Sequence, residues 1–371
     1  MGTQPDDAGR AGRPRRPRSA RRGPGRRRLL RAVVIGLAAV VLLTGAGLTA
    51  LYVKLDGNLS QVDIDSALGP DRPRDTPGGS MDILVLGSDS RAGTNGDFGG
   101  PDAQDGARSD TAMIVHVNEA HDAATVVSIP RDTLVDRPRC ERGDGSTEPA
   151  ADRSMFNEAY TVGGPACTVK TVESLTGLRM DHYLEVDFDG FARLVDTLGG
   201  VEITTTEAID DEDSHLDLPA GTHTLDGRES LALVRTRKAV GDGSDLSRIE
   251  LQQSFLRALA DQAGGVGLAS PKRLYDLADA ATSAVTTDSG IGSVRELADL
   301  AQTLEGIGPD AMQMVTLPVG TDPADPNRVT PLPEQSGQVW RALRRDEPVP
   351  ASAVEGSVSE ENGDRSVVTE G

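Results

Sequence analysis

The sequence predicts an α/β fold, a mixed sheet packed by helices, carried behind one membrane-spanning helix. Three observations lead there. Short apolar runs rich in β-branched residues crowd between residues 82 and 129. From residue 156 onward, helical and strand-like patterns alternate. Finally, 22 consecutive uncharged and mostly apolar residues, 32–53, follow a strongly basic N-terminus.

Residues 1–31 carry eleven arginines against Asp6 and Asp7, a net of +9, which leaves −29 for the remainder of a chain whose total is −20. At about 1.5 Å rise per residue, a helix over 32–53 crosses a hydrocarbon core of about 30 Å. The basic block would stay in the cytoplasm, so that everything after residue 53 faces outward. A cleaved signal peptide is the alternative, although its apolar core is normally shorter and ends in a small-x-small site. The basic arm has no folded reader beside it, so no nucleic-acid partner is expected. An outward address permits Cys140 and Cys167 to pair, a bridge worth about 3 to 4 kcal/mol on the chain-entropy model. Two free thiols are the alternative, and no Cys or His at ligand spacing favours a metal there.

Residues 54–80 read as a stalk ending in a Pro/Gly-rich stretch. The main folded domain is expected over 81–320. Its first strands are DILVLG (82–87), TAMIVHV (111–117) and ATVVSI (124–129). Residues 131–155, polar and aperiodic, read as a long loop. Helical patterns cover 156–161 and 166–176, a strand 182–187, and a helix 189–198 stopped by Gly199-Gly200. After VEITT (201–205) and an acidic loop, helices are predicted at 226–234, 246–263, 271–285 and 293–305, with a late strand at 312–319. Residues 345–371 lack periodicity and read as a disordered acidic tail.

The candidate chemistry lies just beyond strands and at one helix start: Asp89 and Arg91, Arg108 and Asp110, Arg131 and Asp132, Arg235 and Arg237. Ligands of open α/β sheets bind beyond the carboxyl ends of strands. Arg235 and Arg237, two apart, share a face only on extended chain, so extended chain is expected there. Asp245, Arg248 and Gln252 fall on one stripe of a helix. Several guanidinium forks about one point suit a multiply charged phosphate. Carboxylates beside such an anion call for a bridging cation, and Asp89 with Asp110 suit Mg²⁺. The five histidines, His116, His121, His182, His215 and His223, are scattered and read as packing or surface residues.

At these residues the chain resembles the LytR-CpsA-Psr family of cell-wall glycopolymer ligases, over about residues 81–263. The likeness is carried by VLGSDSR, RSDT, VSIPRDT, FNEAYTVGG, TVESLTGLRMDHYLEVDFDGF, LVDTLGGVEI, LDGRESLALVRTRK and DLSRIELQQ. The resemblance implies a three-layer α/β/α domain outside the cytoplasm, with Mg²⁺ as cofactor. It implies transfer of a glycan phosphate from a polyprenyl-pyrophosphate-linked glycan to a peptidoglycan hydroxyl. By matching motif, Asp89 and Asp110 would hold the metal, with Arg91 in the same cluster. Arg108, Arg131, Arg235, Arg237, Arg248 and Gln252 would hold the pyrophosphate, and Asp89 or Asp132 would accept the hydroxyl proton. The chain departs from the family at Leu251, where Arg is frequent, and in a long Gly-rich loop over 93–106. The glycan would be of teichoic acid, arabinogalactan or capsule type, and high Ala, Gly and Arg usage points to a GC-rich, actinobacterial genome. Two other functions fit parts of the sequence. A polyprenyl-pyrophosphate hydrolase would use the same site, and a membrane-bound regulator would act through the arm, but 31 residues rich in Arg, Pro and Gly cannot present a recognition helix.

Overall fold

The computed structural model describes residues 42–75, 78–88, 109–236, 245–265, 270–358 and 368–369. The chain divides into two compact units, Met1–Val53 and Lys54–Gly371. In the first, residues 42–53 are helical, with Leu42, Leu43, Leu48, Tyr52 and Val53 exposed. Residues 32–41 of the expected span lie outside the described residues. Among the described residues, no helix is long and apolar enough to cross a membrane.

The second unit begins where a stalk was expected and contributes there to the domain itself. Ser60–Val62 forms strand β1. Asp63 caps the short helix α1 (Ile64–Leu68), accepting from the Ser66 N–H at 3.2 Å, and Ile64 and Leu68 enter the main core. Arg72 then reaches the Glu173 carboxylate and the Met180 carbonyl, each at 2.6 Å. Pro/Gly spacing carries no information about such long-range partners, so the stalk reading failed.

Strands β2 (Met81–Ser88), β3 (Ser109–Val117) and β4 (Ala124–Ile129) fall where the apolar runs placed them. The expected loop over 131–155 contains short pairings instead. Strand β5 (Leu134–Arg137) will pair with β8, and β6 (Cys140–Glu141) pairs with β7 (Thr147–Glu148) before β8 (Ala151–Met155) returns. Helix α2 (Glu158–Thr176) merges both predicted helical segments across a break at Gly163 and Gly164. Cys140 and Cys167 form a disulfide with Cα atoms 5.4 Å apart. A Cβ on Gly163 would lie 2.7 Å from the Glu141 carbonyl oxygen and 2.8 Å from the Cys167 Cβ, so the close approach at the bridge requires glycine.

Next come β9 (His182–Asp187), α3 (Phe188–Leu198) and β10 (Val201–Thr205). Strands β11 (Ile209–Asp211), β12 (Leu216–Leu218) and β13 (Gly221–Leu225) follow. Helices α4 (Gly227–Arg235), α5 (Asp245–Gly265) and α6 (Pro271–Ala284) lead into β14 (Val285–Asp288). Helix α7 (Val294–Leu304), strands β15 (Met312–Thr316), β16 (Val319–Thr321) and β17 (Val329–Pro331), and helix α8 (Pro333–Arg344) come next, and β18 (Val368–Thr369), antiparallel to β10, ends the order.

The main sheet runs β1-β14-β9-β2-β3-β4-β15. Strand β2 is parallel to β9 and antiparallel to β3; β4 is antiparallel to β3 and parallel to β15. The sheet is therefore mixed, and β2, β4, β9 and β15 all end on the edge where β3 begins. Alternation along β2 makes three layers. Leu84 and Leu86 pack with Val169 and Val172 of α2, Leu246 and Ile249 of α5, and Val339 and Leu343 of α8. Ile83 and Val85 pack on the opposite face with Leu297, Leu300 and Leu304 of α7. A further cluster joins α3, β10–β13, α4 and α5 through Val195, Ile203, Leu233, Leu251 and Phe255.

The domain also continues past residue 320. Helix α8 fills the main core, and Val349 and Ala353, expected in a disordered tail, are buried with it. Of the remainder, residues 359–367 and 370–371 lie outside the described residues.

Candidate functional site

The shared edge at the ends of β2, β4, β9 and β15 collects the charged residues. Strand β4 ends at Ile129, and Pro130 turns the chain. The Thr133 N–H and hydroxyl both donate to the Pro130 carbonyl, at 3.0 and 2.6 Å. Asn157 N–H donates to the Arg131 carbonyl at 3.1 Å, so the start of the α2 region braces the same turn. Arg131 and Asp132 are held at its tip.

Helix α5 meets them with its first residue. The Arg131 backbone N–H donates to Asp245 Oδ2 at 3.3 Å, and its Nε lies 3.5 Å from Asp245 Oδ1 and 3.6 Å from Asp132 Oδ2. One turn along α5, Arg248 pairs with Asp245. The stripe expected from the sequence therefore exists, with Leu246 and Ile249 of the same helix in the main core. Gln252 donates to the Val234 carbonyl at 2.9 Å, tying α5 to α4. Gln253 donates to the hydroxyls of Ser128 and Thr316, at 3.0 and 3.2 Å, tying α5 to β4 and β15. Leu251 is buried in the cluster with Phe255, so this chain places an apolar contact there.

Arg235 departs from expectation. It closes helix α4, and the chain becomes extended only at Thr236 (φ −58°, ψ 136°). A capping box between Asp226 and Glu229 starts that helix and carries it through Arg235. The Arg235 guanidinium lies 5.1 Å from the Phe188 ring centroid, just beyond the end of β9. Beneath it Asp187 caps α3, accepting from the Gly190 N–H at 2.7 Å. Burial holds the Asp187 carboxyl above its usual range against that hydrogen bond.

Asp89, Arg91, Arg108 and Arg237 lie outside the described residues, as does the loop 93–106. Asp110 is described by its backbone alone. Ser88 pairs with Ser109 and Gly87 with Thr111, so Asp110 is the extra residue of a β-bulge. A bulge inserts one unpaired residue and locally disrupts the ladder. Aspartates such as those expected at 89 and 110 are the right donor type for a hard divalent cation. Among the described residues, no group of three or more His, Cys, Asp or Glu side chains that could hold a metal is present.

Two residues escaped the sequence reading. Arg328, before β17, lies 3.5 Å from Asp132 Oδ1 through its terminal nitrogen. It falls far from the matched motifs, in a turn whose sequence announces only a turn. Asn157 belongs to the quoted FNEAY motif without an assigned role, and its side-chain oxygen is buried without a hydrogen-bond partner among the described residues. Arg131, Arg248 and Arg328 thus converge with Asp132 and Asp245 at a strand-end edge. Guanidinium groups gathered about one point suit a multiply charged anion.

Comparison with known proteins finds the following likenesses. The sequence pattern of the LytR_cpsA_psr family matches residues 51–344. Over 314 residues the chain is 32% identical to the cell wall biosynthesis protein LcpA of Corynebacterium glutamicum, a match covering 77% of this chain and 59% of that one. The chain therefore spans about three fifths of the length of LcpA. It is 34% identical over 242 residues to the polyisoprenyl-teichoic acid–peptidoglycan teichoic acid transferase TagT of Bacillus subtilis, covering 62% of this chain and 69% of TagT. Among solved structures, a LytR-Csp2A-Psr enzyme from Actinomyces oris superimposes with a TM-score of 0.57 at 25% identity, covering 76% of this chain and 95% of that one.

Proposed function

The chain belongs to the LytR-CpsA-Psr family, and from that premise we propose that it is a membrane-anchored glycan phosphotransferase. In this reading it takes a glycopolymer linked to a polyprenyl pyrophosphate and attaches it to peptidoglycan through a phosphodiester. Polyprenyl phosphate leaves. The polymer class is teichoic acid, arabinogalactan or capsule. The observation that carries the proposal is the convergence of Arg131, Arg248 and Asp245 at the strand ends. The relatives add support, since TagT is a teichoic acid–peptidoglycan transferase and LcpA a cell wall biosynthesis protein.

Phosphoryl transfer asks a protein mainly to position and to neutralise charge. Arg131, with Arg108, Arg235, Arg237 and Arg248, would hold the pyrophosphate oxygens and stabilise the charge that develops on the departing lipid phosphate. The acceptor oxygen attacks the glycan-bearing phosphorus as the bridging P–O bond to the lipid phosphate breaks. Its proton goes to a carboxylate, Asp89 or Asp132. Asp132 is 23% exposed at its side chain, enough for a sugar hydroxyl to reach. Mg²⁺ held by Asp89 and Asp110 would supply further charge neutralisation when bound.

Anchoring through residues 32–53, with the N-terminus in the cytoplasm and the domain outside, is part of the proposal. The basic block before the apolar run supports it, as do the exposed apolar side chains of the helical residues 42–53. An anchored site would meet a lipid-linked substrate within the same bilayer.

The test is a transfer assay. The full chain in detergent is given Mg²⁺ and a lipid-pyrophosphate-linked glycan, with and without peptidoglycan fragments. Glycan phosphate should appear on the fragment. Release of free glycan phosphate at the same rate in both mixtures would replace the ligase with the hydrolase.

A further inference from the structure

Five charged side chains alternate in sign along one line: Arg248, Asp245, Arg131, Asp132 and Arg328. Their side-chain exposure rises along it from 2% through 15%, 23% and 23% to 30%. The line therefore starts in the interior and ends at the surface. Its last member comes from a segment that no motif of the sequence singled out.

The backbone places Arg328 there independently of its guanidinium. Thr133, next to Asp132, forms a parallel bridge with Val329. Asp322, at the head of the preceding turn, accepts from the Ala324 and Asp325 N–H groups at 2.9 and 3.0 Å and from Arg153 at 2.6 Å. Its own N–H donates to the Arg328 carbonyl, and the Arg328 N–H to the Asp325 carbonyl, both at 2.9 Å. The other neighbours of the Arg328 side chain, the Asn327 carbonyl at 3.2 Å and Asp325 at 4.0 Å, belong to the same turn.

We propose that Arg328 is a positioning residue of the anion site, acting through Asp132 to keep Arg131 available for a pyrophosphate. The inference rests on the pyrophosphate reading given above. Asp132 lies almost midway between two guanidinium groups, 3.6 Å from Arg131 and 3.5 Å from Arg328. Its attraction is divided between them. Arg131 already faces a second carboxylate, Asp245. With Arg328 present, Asp132 is shared between two guanidinium groups; without it, Asp132 turns wholly to Arg131, which then presents less charge to an incoming anion.

The test is a binding measurement that needs no turnover. Inorganic pyrophosphate and geranylgeranyl pyrophosphate are titrated by calorimetry into the full chain in detergent with Mg²⁺. R328Q should weaken both about fivefold, the upper end for a partly exposed charge pair, while R328K stays close to wild type. The double variant R328Q/D132N should bind as D132N alone does, because Arg328 acts only through Asp132. The melting temperature of R328Q should stay within about 2 °C of wild type, as for most surface substitutions. Unaltered binding by R328Q, or equal and additive losses in the double variant, would overturn the inference alone. Failure of the wild type to bind either probe would sink the pyrophosphate reading itself.

Discussion

Arg131 and Arg248 share one carboxylate, Asp245, yet they differ in what their loss should do. Arg248 is 2% exposed and Arg131 23%. Removing a buried partner leaves a desolvated charge behind, which costs about 3 kcal/mol or more, whereas a partly exposed pair contributes about 1 kcal/mol or less. Arg131→Ala should therefore abolish turnover with a near-normal denaturation midpoint, while Arg248→Ala should lower both. Denaturant unfolding beside the transfer assay reads the difference; equal midpoints would show that Arg248 carries no structural load. The stripe of Asp245, Arg248 and Gln252 was legible because helical spacing is itself a statement about faces. Arg235 was misread for a related reason. Two arginines two apart fit a strand face, but the capping box six to nine residues upstream of Arg235 decides for helix. Arg328 was invisible because its proximity to Asp132 depends on a bridge across the chain, from Thr133 to Val329.

At the scale of elements, the segment between β4 and α2 is where local pattern failed most. Its strands are two to five residues long and polar, so neither period nor propensity marks them. Their positions are set by partners and by the Cys140–Cys167 bridge, which ties β6 to α2. Alternation and length had placed β2, β3, β4 and β9 well because buried central strands must be apolar. The bridge closes a loop with a sequence separation of 27 residues, which on the chain-entropy model stabilises the fold by about 3 to 4 kcal/mol. Replacing both cysteines by serine should lower the denaturation midpoint accordingly, and reductant should then have no further effect. A midpoint equal to wild type would mean that β5 and β8 hold this segment without the bridge. Because the turn carrying Arg131 is braced by Asn157, loss of the bridge should also slow turnover beyond its effect on stability.

Across the whole molecule, the two ends of the domain are joined at the edge of the sheet remote from the anion site. His116 on β3 is buried, with Nδ1 2.8 Å from Asp82 on β2 and Nε2 3.1 Å from Asp346 just after α8. Asp346 also accepts the Glu119 N–H at 3.0 Å. Both ring nitrogens face carboxylates, and only the doubly protonated imidazolium can donate to both. Burial opposes that charge, but the hydrogen bonds and charges of Asp82 and Asp346 outweigh it and hold the His116 pKa above its ordinary value. His182, paired with Asp288 at 3.3 Å, is raised for the same balance of reasons. A histidine raised in the folded state adds stability that is fully present below its unfolded pKa of about 6.5 and is lost as pH climbs through the folded value. Stability should therefore decline from mildly acidic to alkaline pH, in the range where the imidazoliums deprotonate. His116→Gln should cost about 2 kcal/mol at pH 6, typical for a hydrogen bond to a charged group, and progressively less as the wild type loses its own proton. Denaturation midpoints from pH 5.5 to 9 test this. Parallel curves for wild type and variant would show that the cross-link does not titrate, whereas convergence at high pH would place the docking of the C-terminal segment under proton control.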